Sequence, residues 1–384
     1  MKKIIFLDTD TFDSTLRLGS HHYAKLFKEN GWDVLWLAQC ISPFSFISKR
    51  NSMARIKAFH SGLQKSPDDI FYYTAFTLLP YLNIKSLDNL WFAKHSLKFT
   101  VPLLKNILAE TGFSTVDILF VNNIKLISII DLIKIKEGIV TRIPDNISGF
   151  SHHPANIEEL EKFVVKMSKI VLCTTNNILE KTKSFNRNSY LLPNGVDYQK
   201  FTGVYEKPVD LEKIPGKKVI YVGAIGDWFD FEFLAYACKE MKNTSFVIIG
   251  PFNSRIKNFI KDNKFNNLHY LGPRDYEVVP SYVSNCDCGI IPFKVNKLTN
   301  DVSPIKMFEY LASGIPVVSS GISQVKAYSK AVYIYNDKNE FVNSIQTALN
   351  ESKEKKIYRL SIARENSWQA RFEKIINLIN QNPS

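Results

Sequence analysis

From Asp301 to Val318 the chain reads Asp-Val-Ser-Pro-Ile-Lys-Met-Phe-Glu-Tyr-Leu-Ala-Ser-Gly-Ile-Pro-Val-Val, with polar residues spaced to handle a phosphorylated ligand. Ser303 is expected to cap a helix over 303–312 with Pro304 in its first position, because Ser accepts from first-turn amides and Pro has no amide to leave unpaired. Such a helix start presents the amides of Ile305 and Lys306 together with the Lys306 ammonium, which suits the concentrated charge of a diphosphate. Asp301 and Glu309 stand eight positions apart, one before the helix and one inside it, and each carboxylate can accept hydrogen bonds from hydroxyls. Gly223-Ala224-Ile225-Gly226 lies between a predicted strand and a predicted helix, where backbone amides can approach a phosphate. It departs from both G-x-G-x-x-G and the ending G-K-[ST], which sets aside nicotinamide dehydrogenases and P-loop ATPases. His21-His22 and His152-His153 are adjacent pairs whose members diverge on a helix, and no metal site is expected. Cys40, Cys173, Cys238, Cys286 and Cys288 are scattered and odd in number, so a reducing cytoplasm is expected rather than a disulfide framework.

Residues of these kinds need strand exits and helix starts to hold them. Short runs rich in Val, Ile and Phe alternate with helical patterns along the chain, the sign of parallel sheets crossed by helices. Strands are expected at 3–7, 34–38, 70–71, 118–121, 138–143, 170–173 and 190–193, with helices at 19–30, ended by Gly31, and 157–167. A polar stretch after Asn194-Gly195 separates a second series: strands 218–222, 245–249, 268–271, 288–291 and 316–319, and helices 231–240, 276–285 and 303–312. A last helix over 357–379 carries Phe372, Ile375, Ile376 and Ile379 on one stripe. At 384 residues the chain is long enough for two domains. The expected class is α/β, two doubly wound domains whose functional loops lie outside the carboxyl ends of the strands and face a cleft.

Leu192-Pro193-Asn194-Gly195-Val196-Asp197, Tyr221-Val222-Gly223, 268–273 and 303–318, in that order, resemble the donor half of nucleotide-sugar-dependent glycosyltransferases of the GT-B fold, of the group 1 type. The resemblance covers nearly the whole chain. It implies an acceptor-binding domain over 1–197, on which a C-terminal helix 366–382 packs back, and a nucleotide-sugar donor domain over 198–365, both Rossmann-like. Glu309 resembles the second acid of the family's E-x7-E motif, which holds the ribose hydroxyls, and Lys306 the basic residue on the diphosphate. Asp301 stands at the first position of that motif, as an aspartate, toward the transferred sugar. Gly223, Ser303, Pro304 and Ile305 complete the implied donor loops, and Phe252, Leu271 and Gly272 border the base.

The N-terminal half is similar to bacterial membrane-associated polysaccharide transferases, in particular the glucuronosyltransferases of xanthan assembly. Residues 17–22 resemble their acceptor-side loop, which implies acceptor contacts from Arg17, His21 and His22. Thr141-Arg142-Ile143-Pro144-Asp145 resembles the strand exit bearing their catalytic aspartate. Asp145 is therefore the expected general base of a direct, inverting transfer, taking the acceptor hydroxyl's proton as the anomeric carbon is attacked. Lys306 and the helix terminus would stabilise the departing diphosphate with no metal or other cofactor. The implied reaction moves a sugar from a nucleotide diphosphate, UDP foremost, to a saccharide or a polyprenyl-diphosphate-linked saccharide in surface-polymer synthesis. A nucleotide-sugar epimerase of the same fold and a non-catalytic sugar-binding scaffold are the alternatives.

Charge suggests where the reaction takes place. The formal net charge is +12, and residues 34–67 contain Lys49, Arg50, Arg55, Lys57 and Lys65 with no acidic residue. Phe44, Phe46, Ile47 and Met53 are interleaved with them, a combination suited to an anionic membrane surface. No nucleic-acid-binding module is recognisable, and no nucleic-acid partner is expected. Residues 1–7 begin like a secretion signal, but Asp8, Asp10 and Asp13 interrupt it, and no segment offers about 20 nearly uninterrupted apolar residues. The expected location is the cytoplasm, peripheral on the cytoplasmic face of a membrane.

Overall fold

A computed structural model gives the placement of residues 1–381 other than 15, 16, 18, 48, 85, 86, 146–154 and 353, and the backbone alone at 49–52. The pair His152-His153 therefore falls outside the described residues. The chain divides into two compact units, one from Met1 to Pro193 rejoined by the chain from Phe372 onward, the other Asn194–Arg371.

Among the described residues, the first unit contains strands Lys3–Asp8 (β1), Asp33–Ile41 (β2), Gln64–Lys65 (β3), Phe71–Phe76 (β4), Thr115–Val121 (β5), Lys134–Ile143 (β6), Ile170–Cys173 (β7) and Ser189–Leu191 (β8). They form one sheet in the order β3-β4-β2-β1-β5-β6-β7-β8, parallel except for the short β3. Its central strands are buried on both faces, which is why Ile4 to Leu7 and Ile170 to Cys173 are apolar without alternation. Phe6 stacks on Phe120 with ring centroids 4.7 Å apart and meets Phe27 of the helix Gly19–Glu29 edge-on. Gly31 ends that helix turn at φ +81°, a conformation that costs glycine nothing.

The second unit contains Lys217–Val222 (β9), Thr244–Ile249 (β10), Leu268–Gly272 (β11), Cys288–Ile291 (β12), Val317–Ser320 (β13) and Tyr333–Tyr335 (β14). Their order, β11-β10-β9-β12-β13-β14, is that of the doubly wound dinucleotide-binding sheet, with every neighbouring pair parallel. Tyr310, fully buried on the helix Ile305–Ala312, clamps that helix onto the sheet. Its ring fills the space over Gly289, where a Cβ would come within 2.3 Å, and its hydroxyl oxygen accepts the Val222 amide at 2.9 Å.

Three expected elements differ. The helix expected from Ser303 begins at Ile305, because Ser303 is turned to Asn194 and Pro304 is extended at ψ 107°. The helix expected over 276–285 is reduced to Val279–Ser284, with Pro280 in its first turn. The single helix over 357–379 is two, Glu354–Glu365 and Trp368–Gln381. At the break, Asn366 O accepts the Val196 amide at 3.1 Å and Trp368 N donates to Val196 O at 2.9 Å, a strand-like pairing that replaces helical bonds. The side chains assist: Asn366 Nδ2 donates to Ile362 O, and Ser367 Oγ accepts the Ala370 amide as a cap for the second helix. Gly195 permits this approach, since a Cβ there would lie 2.9 Å from the Trp368 ring.

Residues 43–60 fold into the helices Pro43–Ile47 and Lys49–His60, with Phe44, Phe46, Ile47 and Met53 exposed. All five cysteines are buried and free. Among the described residues no helix is long and apolar enough to cross a membrane.

Candidate functional site

In the second unit the direction of winding reverses between β9 and β12, so the loops leaving their carboxyl ends flank the switch point where such sheets bind ligands. The β9 exit is shaped by glycine. Gly223 has φ +157° and donates its amide to Ile249 O at 2.9 Å, and a Cβ on Gly250 would fall 2.0 Å from Gly223 O. The β12 exit is stitched to it, Asp230 N donating to Pro292 O at 2.8 Å and Lys294 N to Trp228 O at 2.7 Å.

Beyond β12, the short helix Lys297–Asn300 leads through buried Asp301 to the helix Ile305–Ala312. Ser303 does not cap it, contrary to the sequence expectation. Its hydroxyl accepts the Asn194 amide at 3.2 Å and its carbonyl accepts Asn194 Nδ2 at 2.7 Å, which anchors the helix start to the Asn194-Gly195 turn. Pro304 is the N-cap rather than the first helical residue and has no side chain to accept a bond. The first amides of any helix lack intrahelical partners, which leaves those of Ile305 and Lys306 outside the helical ladder. Glu309 is 1% exposed, far from a solvated helix face, and its Oε2 accepts from Lys306 Nζ at 2.5 Å. A buried carboxylate requires such a partner. Tyr276 lies within the field of Glu309. Burial, reinforced by that negative charge, pushes its phenol well above the ordinary value.

The residues expected around a base separate by role. Phe252, 57% exposed, stands beside Tyr270 with ring centroids 5.5 Å apart, while Leu271 packs against the core of the unit. Gly272, at φ +77°, accepts the Gly250 amide at 3.1 Å.

The first unit has its own switch point, between β1 and β5. Asp8, buried at the end of β1, accepts the Thr9 amide at 2.7 Å, the Asp10 amide at 3.3 Å and Asn122 Nδ2 at 2.8 Å. Asn122 Oδ1 in turn accepts from Arg142 at 3.0 Å, so one polar chain crosses the carboxyl ends of β1, β5 and β6. Asp145 lies just past β6. Burial raises its pKa and the Arg142 guanidinium opposes the rise. Asp8 is also raised by burial, against the pull of Ser20, two backbone amides and Asn122, and Asp10 by burial and the charge of Asp8.

The expected acceptor residues gather around the segment Thr11–Phe12. Arg17 donates to Phe12 O at 2.8 Å and lies over the Phe12 ring. His21 is buried, donating from Nε2 to Thr11 O at 3.2 Å with its ring 4.5 Å from that of Trp36, whose indole donates to Asp10 O at 2.9 Å. His22 is half-buried. His21 thus organises the loop from within. Sequence reasoning missed Asp8, Asn122 and Trp36. For the first two the available signal was position, since Asp8 ends β1 and Asn122 follows β5, the two strands that flank the switch point. Among the described residues no group of three or more His, Cys, Asp or Glu side chains could hold a metal ion.

Comparison with known proteins bears on both units. Residues 216–351 match the family described as Glycosyl transferases group 1, a segment that includes Gly223, Lys306 and Glu309. A putative teichuronic acid biosynthesis glycosyltransferase, TuaH of Bacillus subtilis, is 26% identical over 235 residues. That alignment takes in 57% of this chain and 59% of TuaH, so the match spans less than two thirds of the relative. Among solved structures, HepE of Anabaena in complex with UDP-glucose superposes with a TM-score of 0.69 at 14% identity, over 99% of this chain and 100% of that one. OtsA in its apo form does so with a TM-score of 0.66 at 14% identity, over 99% of each chain. At such identities the likeness establishes the fold, two parallel-sheet domains of the GT-B type.

Proposed function

From a chain with the GT-B glycosyltransferase fold, whose residues 216–351 match the group 1 glycosyl transferases, we propose an enzyme that transfers one sugar from a UDP-sugar to a saccharide carried on a polyprenyl diphosphate. The observation that carries this reading is the Lys306–Glu309 pair at a helix start, beside a glycine-shaped strand exit, inside the segment that matches the family. Lys306 and the first amides of its helix take the diphosphate, and Glu309 takes the ribose hydroxyls. Donor binding thereby exchanges the Lys306–Glu309 ion pair for two contacts to the ligand. Asp301 serves the transferred sugar and Phe252 the base.

In the first unit, Arg17 and His22 meet the acceptor, with His21 tying the helix that carries His22 to Thr11. Asp145 is the general base of an inverting displacement, and charge developing on the leaving diphosphate is met by Lys306 without a metal. The similarity to TuaH supports surface-polysaccharide synthesis as the setting. The basic, apolar helices of residues 43–60 support action at the cytoplasmic face of a membrane.

The test is a transfer assay with a panel of UDP-sugars and polyprenyl-diphosphate-linked saccharides, with NMR of the product at the donor's anomeric carbon. Transfer with inversion is expected. UDP-sugar turnover that needs no acceptor would make the protein an epimerase, and binding without any turnover would make it a scaffold.

A further inference from the structure

The exposed apolar surface of the first unit does not end with the helix Pro43–Ile47. Ile41 at the end of β2 pairs with Phe76 at the end of β4, so the segments that follow these strands emerge side by side. The Phe46 and Phe76 rings are 6.4 Å apart. Past Phe76, Thr77 pairs antiparallel with Thr100, Leu78 N donates to Phe99 O at 2.9 Å, and Val101 N donates to Phe76 O at 2.9 Å. This short ribbon and its flank display Leu78 (53% exposed), Val101 (52%) and Leu103 (53%). Trp91, 48% exposed on the helix Leu90–His95, holds its ring 6.3 Å from Phe99. Large apolar side chains scattered singly over a surface need no explanation, but a set held on one hydrogen-bonded ribbon next to a second exposed set does.

The segment that carries the ribbon is predominantly basic. Residues 76–105 contain Lys94, Lys98 and Lys105, with Lys85 outside the described residues; Lys98 pairs with Asp131 at 2.8 Å, and the one acid of the segment, Asp88, has its carboxylate occupied by the backbone amides of Ala155 and Asn156. Apolar side chains framed by lysines suit the boundary between anionic headgroups and acyl chains, and suit a neutral protein groove less well. Because β1, β2, β4 and β5 run parallel, their carboxyl ends share one edge of the sheet, and the ribbon stands at the same edge as Asp8 and Asn122.

We propose that Leu78, Trp91, Phe99, Val101 and Leu103 form a second lipid-inserting element that, with residues 44–57, seats the first unit on an anionic bilayer. This rests on the lipid-linked acceptor proposed above. Two separated insertions fix orientation as well as attachment, so a sugar presented at the bilayer surface meets the sheet edge that holds the acceptor-side cluster.

Trp91 is the most exposed of the five tryptophans and serves as the probe. Vesicles of phosphatidylcholine and phosphatidylglycerol with brominated acyl chains should quench the protein's fluorescence, and Trp91→Phe should remove most of that quenching. The triple variant Leu78→Ser/Val101→Ser/Leu103→Ser should sediment with these vesicles roughly 10-fold less well or worse, while binding UDP and turning over a soluble acceptor as the unmodified protein does. A triple variant that sediments normally, or an unquenched Trp91 in protein that a Lys49→Ala/Arg50→Ala/Lys57→Ala variant releases from vesicles, overturns the second element and leaves membrane attachment through residues 44–57 standing. Failure of the unmodified protein to bind any vesicle overturns both. A change in mass at sedimentation equilibrium confined to the triple variant, without lipid, assigns the face to a second copy of the chain and overturns the proposal.

Discussion

Glu309 is sealed from solvent and neutralised by a lysine one turn earlier, so the two side chains are energetically one unit. Lys306→Ala should weaken UDP binding by about 1.5–3 kcal/mol, the scale of lost charged hydrogen bonds, as read by calorimetry. It should also lower the melting temperature, because it strands a buried carboxylate. The double variant Lys306→Ala/Glu309→Gln should melt higher than the single one, since the stranded charge is gone. Asp145 predicts a pH effect. As the proposed base it must be ionised, its pKa lies above the ordinary aspartate value because of burial, and protonation on lowering the pH should remove activity. The acid limb of kcat/KM should therefore lie above the usual aspartate range, and Arg142→Met should move it higher still by deleting the cation that opposes the rise. Asp145→Asn should reduce turnover by ~10²–10⁴-fold with UDP affinity retained. Lys306, Glu309 and Asp145 are the proposed site residues that stand out in sequence, because each sits in a compact run of characteristic neighbours. Asp8 and Asn122 do not, because their pairing joins positions 114 residues apart, and in sequence Asp8 only interrupts an apolar run.

Strands and helices were legible wherever periodicity was strong, as in the unbroken apolar runs of β1, β7 and β12, whose two buried faces leave no alternation to misread. Helix ends were less so. Ser303 looks like a cap, yet its hydroxyl goes to Asn194, a partner that no local pattern announces. The break at Asn366–Ser367 likewise comes from a strand-like pairing with Val196, on the far side of the second unit's sequence. One glycine has a consequence for the proposed donor loop: Gly250 leaves room for Gly223 O, and Gly250→Ala would place a methyl group 2.0 Å from that oxygen. The β9 exit would have to shift, at a cost of about 1–3 kcal/mol by analogy with overpacked cores. Thermal denaturation should show that loss, and calorimetry a weaker UDP affinity, because the displaced loop is the one flanking the switch point.

For the molecule as a whole, the sequence conveyed two doubly wound sheets because each series of alternating elements is continuous, with a polar stretch between them. The part that crosses over is the helix Trp368–Gln381, which starts in the second unit and from Phe372 onward belongs to the first. Phe372 is buried, with its ring edge-on to Phe27 at 5.0 Å, and Phe372→Ala should cost about 3–5 kcal/mol. In chemical denaturation that loss should fall on the transition of the first unit, with UDP binding preserved in the native baseline. The same helix orders events during synthesis. The strands of the first unit have all been made by Leu191, but the segment that covers Phe27 is translated only after the entire second unit, a delay on the order of ten to forty seconds at usual elongation rates. For that interval the nascent N-terminal half carries an open apolar seam, so the unit begun first closes only after the whole of the second has been made.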